Sequence, residues 1–431
     1  MAPVSKSRTY HDPIHGGIEL KGSDPLERMI IQLIDTPEFQ RLRRVRQLDV
    51  ASLTFHGAEG SRFTHSLGVF AVARRVFDRL AGNYPGLEEY RALVLTAALL
   101  HDIGHGPFSH ASEEIFSYDH EDWTRKILNG PTRVAQLLKG YDPRLPQQLL
   151  QVFLGEFPVP LVGQLVSGQL DCDRLDYLLR DSYFTGAQYG HLDLDRIISA
   201  LDYDTPTRSL VVRGRKGLVA VEHYLTVRYF MYTQVYNHSK NLAARFVLSC
   251  ILRRARELVQ AGELVVDEVL QVWFSTSSEQ WPLGMYLACD DTVMYYHIQR
   301  WQNCTDPVLA ELCRQLTDRD LPKAWEITSL SAEQRTKLME RLGTLLSEQH
   351  TTPADYWVGL KEARIKGYSL YNKGIFLKSE EGRGLQEIAE CSSLVRSLIL
   401  GDTKTWLIYP RAIGAQVARM VQIEKAVAGL G

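Results

Sequence analysis

The sequence lacks any run of ~18 consecutive apolar residues, the length that a membrane-spanning helix needs. Its first residues, Met1 to Arg8, hold no apolar core of signal-peptide length, so a cytoplasmic protein is the expectation. Cysteine is sparse and unpaired. The six cysteines, Cys172, Cys250, Cys289, Cys304, Cys313 and Cys391, have neither the CxxC spacing of a zinc ribbon nor the density of a disulfide scaffold, and read as free thiols. An excess of one charge is missing too. The formal net charge of -2 argues against nucleic acid or an anionic membrane as a partner of the whole surface. No internal repeat or low-complexity tract stands out. What remains is an ordinary globular composition, 45% hydrophobic and 23% charged, in 431 residues that allow two or three units of about 150 residues.

Histidine, by contrast, is concentrated: eight of thirteen lie at or before His120. The densest stretch is Ala98-Leu99-Leu100-His101-Asp102-Ile103-Gly104-His105-Gly106-Pro107-Phe108-Ser109-His110. An apolar run of helical length, 92–100, delivers His101 and Asp102 into a Gly/Pro-rich break with two more imidazoles beyond. Imidazole nitrogen and carboxylate oxygen are good ligands for Zn, Mn or Fe. If the helix persists through Gly104, His101 and His105 share one face. A lone His-Asp pair is common by chance, and buried histidines are usually hydrogen-bonded core residues. Three histidines in ten residues, interleaved with glycine, point instead to a site.

Along the chain, residues 1–9 read as a loose tail and 10–20 as a hairpin. Helices are expected over 26–34, from the Asp35-Thr36-Pro37-Glu38 cap through about Leu48, and from His65 through Leu80. The second of these carries Arg41, Arg43, Arg44 and Arg46, either a solvated basic face or an anion-recognition patch. Further helices are expected over 123–128 and in pieces between Pro131 and Pro160. On a helix, Asp173, Tyr177 and Asp181 fall at i, i+4 and i+8, a polar stripe beside Leu175, Leu178 and Leu179. Residues 209–221 read as two strands around a glycine turn. One helix is expected over 223–256, carrying Arg228, Tyr232, Tyr236 and His238. Residues 258–350 read as helical, most clearly at 263–272, 307–316 and 332–346. Beyond Ala354, strands at 364–378 and 405–409 flank helices at 385–399 and 412–426.

His65, the His101-Asp102 pair and Asp173 come from three well-separated helices, as expected of a metal site inside a helical bundle. Two imidazoles with two carboxylates suit Mn, Fe or Mg better than a thiolate-rich structural zinc cage. A cation held there activates water and neutralises phosphate charge. Nearby His105, His110 and His120 can protonate a leaving oxygen or bind phosphate.

These residues resemble the H…HD…D signature of the HD-domain metal phosphohydrolases. The segments Asp12-Pro13-Ile14-His15-Gly16, Arg62-Phe63-Thr64-His65-Ser66-Leu67-Gly68 and Asp173-Arg174-Leu175-Asp176-Tyr177-Leu178-Leu179-Arg180-Asp181 look like the deoxynucleoside triphosphate triphosphohydrolases, dGTPase-like enzymes of that family. So do the Asp35-Thr36-Pro37-Glu38-Phe39-Gln40-Arg41 and Leu100 to His110 segments. The resemblance begins near Tyr10, is strong to about residue 240 and thins beyond. It implies that His65, His101, Asp102 and Asp173 hold a divalent ion (Mn, Mg, Fe or Zn), and that His110 is the general acid, supported by Glu113, where the family often has Asp. It implies phosphate contacts for His105, His120, Arg62, Arg228 and Arg174, the last replacing a common Lys. Gln47, Leu48, Tyr177 and Asp181 would surround the 3′-hydroxyl, and Tyr236 would exclude a 2′-hydroxyl.

Vertebrate members that join a sterile-alpha-motif domain to the HD domain read an activating guanine nucleotide at positions matching Asp35, Gln40 and Arg43. A second nucleotide there lies near His11, Phe55 and His238, although Ser239 stands where Lys is found. The resemblance therefore implies dNTP substrates, a nucleotide activator and a homo-oligomer, with a tetramer favoured. The expected fold is mainly α: an HD helical bundle over 10–350 with small β-hairpins, and a smaller C-terminal α+β lobe over 351–431. Two other functions stay open at this point. One is HD chemistry on a monophosphate, an alarmone or a cyclic nucleotide; the other is a nucleotide sensor with a non-catalytic site.

Overall fold

The computed structural model describes residues 6–349, 353–365, 367–370, 374–378 and 384–428. The chain opens with the expected hairpin, Arg8–Asp12 paired antiparallel with Gly16–Leu20, and Gly16 takes the positive φ of 72° that its turn requires. Its first strand starts at Arg8, inside the stretch expected as a tail; residues 1–5 lie outside the described residues. The helix Pro25–Ile34 is capped by Asp24, whose side chain accepts from the Glu27 N–H.

The next helix is much shorter than expected. A single turn, Pro37–Gln40, leads into a 3-10 turn, Arg41–Arg44, and Val45 is already extended. The cause is Arg41, which is buried and donates to the carbonyl oxygens of Ile103 and His105. One of the four arginines read as a basic face is therefore a core residue.

The helices Arg62–Asn83 and Arg91–Leu100 pack side by side. The second is buried continuously from Leu93 to Leu100, as befits a helix that is apolar all round. It ends at Leu100, and His101 to Gly104 form turns, so His101 and His105 do not share a helical face. A Cβ on Gly104 would lie 2.1 Å from the His120 carbonyl oxygen, so the break at Gly104 lets the helix His120–Asn129 approach. The helix Cys172–Thr185 runs from an Asp171 cap to Gly186 in the left-handed region and packs across Arg62–Asn83.

Ser209–Arg213 pairs with the preceding strand Leu201–Asp204, and the residues expected to form a second strand instead begin the helix Gly214–Met231. Gly217 permits this, because a Cβ there would lie 2.5 Å from the Val212 side chain. The continuous helix expected over 223–256 is interrupted by a π-helical turn, Tyr232–Tyr236, before Ser239–Gln260 starts afresh at His238. Such turns cluster at functional sites.

Two apolar cores result. The first joins the N-terminal helices to Ile375, Leu377, Ile388 and Val395. The second surrounds Ser239–Gln260, Glu268–Ser275, Pro307–Thr317 and Ala332–Gln349. Phe376–Lys378 and Leu385–Glu387 extend the 201–213 pair into a four-stranded sheet, Val212 opposing Leu377 in parallel. Lys323–Glu326, within a stretch expected to be helical, is a strand on Asp402–Tyr409, which also pairs with Gly359–Ile365. The helix expected from 263 starts at Glu268 because Asp267 caps it, and the stretch expected as a helix from 385 begins as a strand. Residues 366 and 371–373, inside the expected strand 364–378, lie outside the described residues. The fold is mainly α with small sheets, as expected. Among the described residues, no helix is long and apolar enough to cross a membrane.

Candidate metal centre

Four side chains from three separate segments converge. His65 comes from the first turn of Arg62–Asn83, His101 and Asp102 follow Arg91–Leu100, and Asp173 lies in the first turn of Cys172–Thr185. His65 Nε2 is 3.2 Å from His101 Nε2 and 3.0 Å from Asp173 Oδ1. Asp102 Oδ1 lies 3.3 Å from His101 Nε2, and Asp173 Oδ1 lies 3.7 Å from the same nitrogen. Ligand atoms about 2.1 Å from a common ion are roughly 3.0–3.4 Å apart for angles between octahedral and tetrahedral. His65, His101 and Asp102 thus form a mutually close set that suits one divalent cation, with Asp173 beside it at 3.0 Å from His65 Nε2.

The tautomers suit it as well. His101 Nδ1 donates to the Ala98 carbonyl at 2.9 Å, and His65 Nδ1 donates to Asp176 Oδ2 at 2.8 Å, so both Nε2 atoms face the centre. Burial alone would lower the His65 pKa, but hydrogen bonds to Asp173 and Asp176 outweigh it and push the group up to about 10. For Asp102, burial is outweighed by Arg62 and His101, which hold the carboxyl well below its ordinary value. Burial of Asp173 is likewise outweighed by its hydrogen bonds to His101 and His65. A field that binds protons this firmly at one point also favours a cation there.

Beside this centre, Glu113 gathers three imidazoles. Its Oε1 lies 3.2 Å from His105 Nδ1 and 3.0 Å from His120 Nδ1, and its Oε2 lies 3.1 Å from His110 Nδ1. His105 and His120 stack at 3.8 Å, and His105 Nε2 is 3.3 Å from Asp102. Burial, together with the charges of Arg62 and His120, pushes His105 down to about 3, so this ring stays neutral. His110 is 70% exposed and open to a ligand. The backbone around it is unusual: Phe108 and Ser109 both adopt positive φ, a strain that tends to collect at functional sites.

A cavity of about 530 Å³ spans both clusters. Its lining includes Gln47, Leu48, Arg62, Arg174, Tyr177, Asp181 and Tyr236, and so brings together most of the residues singled out from the sequence. Arg62 pairs with Asp102 and donates to Ser109 Oγ at 2.7 Å. Arg174 pairs with Asp171. Tyr236 donates its hydroxyl to Asp181 at 2.9 Å, and burial pushes Asp181 up to about 7. Arg228 is not in the lining; it donates to Gln169 Oε1 at 3.0 Å.

The other candidates lie outside the lining of this cavity. Asp35 pairs with Arg8, while Gln40 accepts from Arg43, whose guanidinium stacks on Phe63. Phe55 packs edge-on against His238, and His11 is exposed on the hairpin. Arg43, Arg44 and Arg46 line a separate cavity of about 870 Å³.

The HD domain family model matches residues 62–143, the segment that holds His65, His101 and Asp102. YwfO, an uncharacterized protein of Bacillus subtilis (strain 168), is 36% identical over 418 residues, covering 95% of this chain and 93% of that protein. The crystal structure of a phosphohydrolase from Bacteroides thetaiotaomicron superposes with a TM-score of 0.83 at 30% identity, covering 94% of this chain and 100% of that one. The chain belongs to the HD-domain phosphohydrolase family. This HD-domain phosphohydrolase is also similar to the deoxynucleoside triphosphate triphosphohydrolase SAMHD1 homolog of Dictyostelium discoideum, 28% identical over 276 residues that cover 61% of this chain and 52% of that protein.

Sequence reasoning assigned no role to Asp176, Arg180, Asp12 or His15, which form a buried network behind His65. The i, i+4 spacing of Asp176 and Arg180 was the available signal, one stripe around the helix from Asp173, Tyr177 and Asp181. Arg245, paired with Asp49 at the cavity wall, gave no such signal.

Proposed function

We propose that this HD-domain phosphohydrolase splits deoxynucleoside triphosphates into deoxynucleoside and inorganic triphosphate. The observation that carries this reading is the cavity of about 530 Å³ that runs from His101, Asp102 and Asp173 past His105, His110 and His120 to Asp181 and Tyr236. Pockets of roughly 300–1,000 Å³ hold ligands of nucleotide size. The similarity to a named triphosphohydrolase supports the substrate class.

In this reading His65, His101, Asp102 and Asp173 hold a divalent cation, which activates water and neutralises phosphate charge when bound. Arg62 and Arg174 add permanent positive charge beside the phosphates. His105 and His120 contact phosphate oxygens as hydrogen-bonding imidazoles. A water oxygen would bond the α-phosphorus and give up a proton to solvent as the bond to the 5′ oxygen breaks, and His110, oriented by Glu113 through Nδ1, would give that leaving oxygen a proton. Tyr236, fixed on Asp181, lies under the sugar and leaves no room for a 2′-hydroxyl, while Gln47, Leu48 and Tyr177 border the 3′-hydroxyl. Arg228, whose guanidinium donates to Gln169, is a further phosphate contact in this reading.

The reading extends to activation by dGTP at Asp35, Gln40 and Arg43, with His11, Phe55 and His238 near a second nucleotide, in an oligomer of four chains. The decisive experiment incubates the protein with each dNTP and rNTP plus Mn or Mg and separates the products. Tripolyphosphate from dNTPs is expected, at a rate that rises with added dGTP. Orthophosphate, pyrophosphate or a linear dinucleotide would favour another nucleotide, and no product from any of them would favour a sensor.

A further inference from the structure

We infer that the N-terminal hairpin is a positioning element of the metal centre: through His15 and Asp12 it fixes Asp176, and Asp176 fixes His65. The inference rests on the cation reading of the centre and not on the choice of substrate. Asp176 is wholly buried, and both its oxygens are fully used. Oδ2 accepts from His65 Nδ1 at 2.8 Å and from Arg180 Nε at 2.8 Å. Oδ1 accepts from Arg180 Nη2 at 2.9 Å and from His15 Nε2 at 2.6 Å. A carboxylate offers about four lone-pair sites, so this one has no acceptor to spare and no freedom to turn.

The hairpin closes the network a second time. Arg180 Nη1 donates to Asp12 Oδ2 at 2.9 Å, while Asp12 Oδ1 accepts the backbone N–H groups of Ile14 and His15, each at 2.9 Å. Those two bonds shape the turn that carries His15 inward, where its side chain is only 4% exposed. The approach of the helices is equally specific. A Cβ on Gly68 would lie 1.9 Å from Asp176 Oδ1 and 2.3 Å from Arg180 Nη2, so only glycine lets the His65 helix sit against this pair. His101 has no comparable device, since a carbonyl of its own helix suffices. The hairpin thus reaches across 161 residues of sequence to set the tautomer and orientation of one ligand. Outer partners of this kind typically alter metal affinity 10–100-fold when removed.

The test is Mn2+ binding to the full-length chain by calorimetry, with His101→Ala as the variant that removes a ligand. Asp176→Asn should weaken binding about 10–100-fold. His15→Ala should weaken it by a smaller factor, and His15→Gln, whose amide can still donate to Asp176, should recover part of that loss. If Asp176→Asn does not fold, the His15 pair carries the test. A purely structural role would lower Tm and leave the Mn2+ affinity of the folded protein unchanged, and that result overturns the inference. A wild-type chain that binds no divalent cation overturns the cation reading along with it, whereas wild-type binding with unaltered variants overturns this inference alone.

Discussion

His101 and His65 face the same point, yet the chain holds them there by opposite means. His101 sits at the end of an apolar helix, and its Nδ1 bonds the carbonyl of Ala98, three residues back. His65 depends on Asp176, Arg180, Asp12 and His15, drawn from a second helix and from the hairpin. The local arrangement is cheap in chain entropy and reads directly from sequence. The long-range one must be assembled by the whole fold, so it ties the N-terminal residues to the site.

The largest effect should come from the side they share. Asp102→Ala removes a proposed ligand that also pairs with Arg62, and hydrolysis should fall by about a thousandfold or more, the equivalent of several kcal/mol, in turnover assays with excess Mn. An activity close to wild type would show that neither arrangement serves a cation.

A second test uses the helix that carries Asp176 but looks at its cavity face. Asp181 has a folded pKa of about 7, raised by burial, against an ordinary value near 3.8. The folded form therefore keeps its proton where the unfolded form has lost it, and stability falls as pH rises from about 4 to about 7, then levels. Asp181→Asn should flatten that slope by the order of a few kcal/mol in denaturant melts across this range. An unchanged slope would mean that Asp181 is ionised in the fold.

The smallest expected effect is at Gly68. Gly68→Ala crowds Asp176 and Arg180 and should cost about 1–3 kcal/mol in chemical denaturation. Ala substitutions at Gly82 or Gly140, which have open space around the Cβ, should not. Equal effects at all three would remove the long-range side of the comparison.

The same contrast explains what was readable beforehand. The His101-Asp102 pair, the cavity stripe of Asp173, Tyr177 and Asp181, and the apolar helix before His101 are local patterns, and the structure brings those side chains together. The errors fall where a distant contact overrides local preference. Arg41 turns inward to carbonyls more than sixty residues away and ends its helix early. Gly217 presses a helix onto Val212 where alternation suggested a strand. The π turn at Tyr232–Tyr236 places Tyr236 on Asp181, a pairing that no periodicity reveals. Lys323–Glu326 becomes a strand only because Asp402–Tyr409 arrives to pair with it.

The most direct test is anomalous diffraction at the manganese edge from crystals soaked in Mn2+. The account predicts a peak within bonding distance of His65 Nε2, His101 Nε2, Asp102 and Asp173. A clear peak elsewhere, with none among these four side chains, would contradict it.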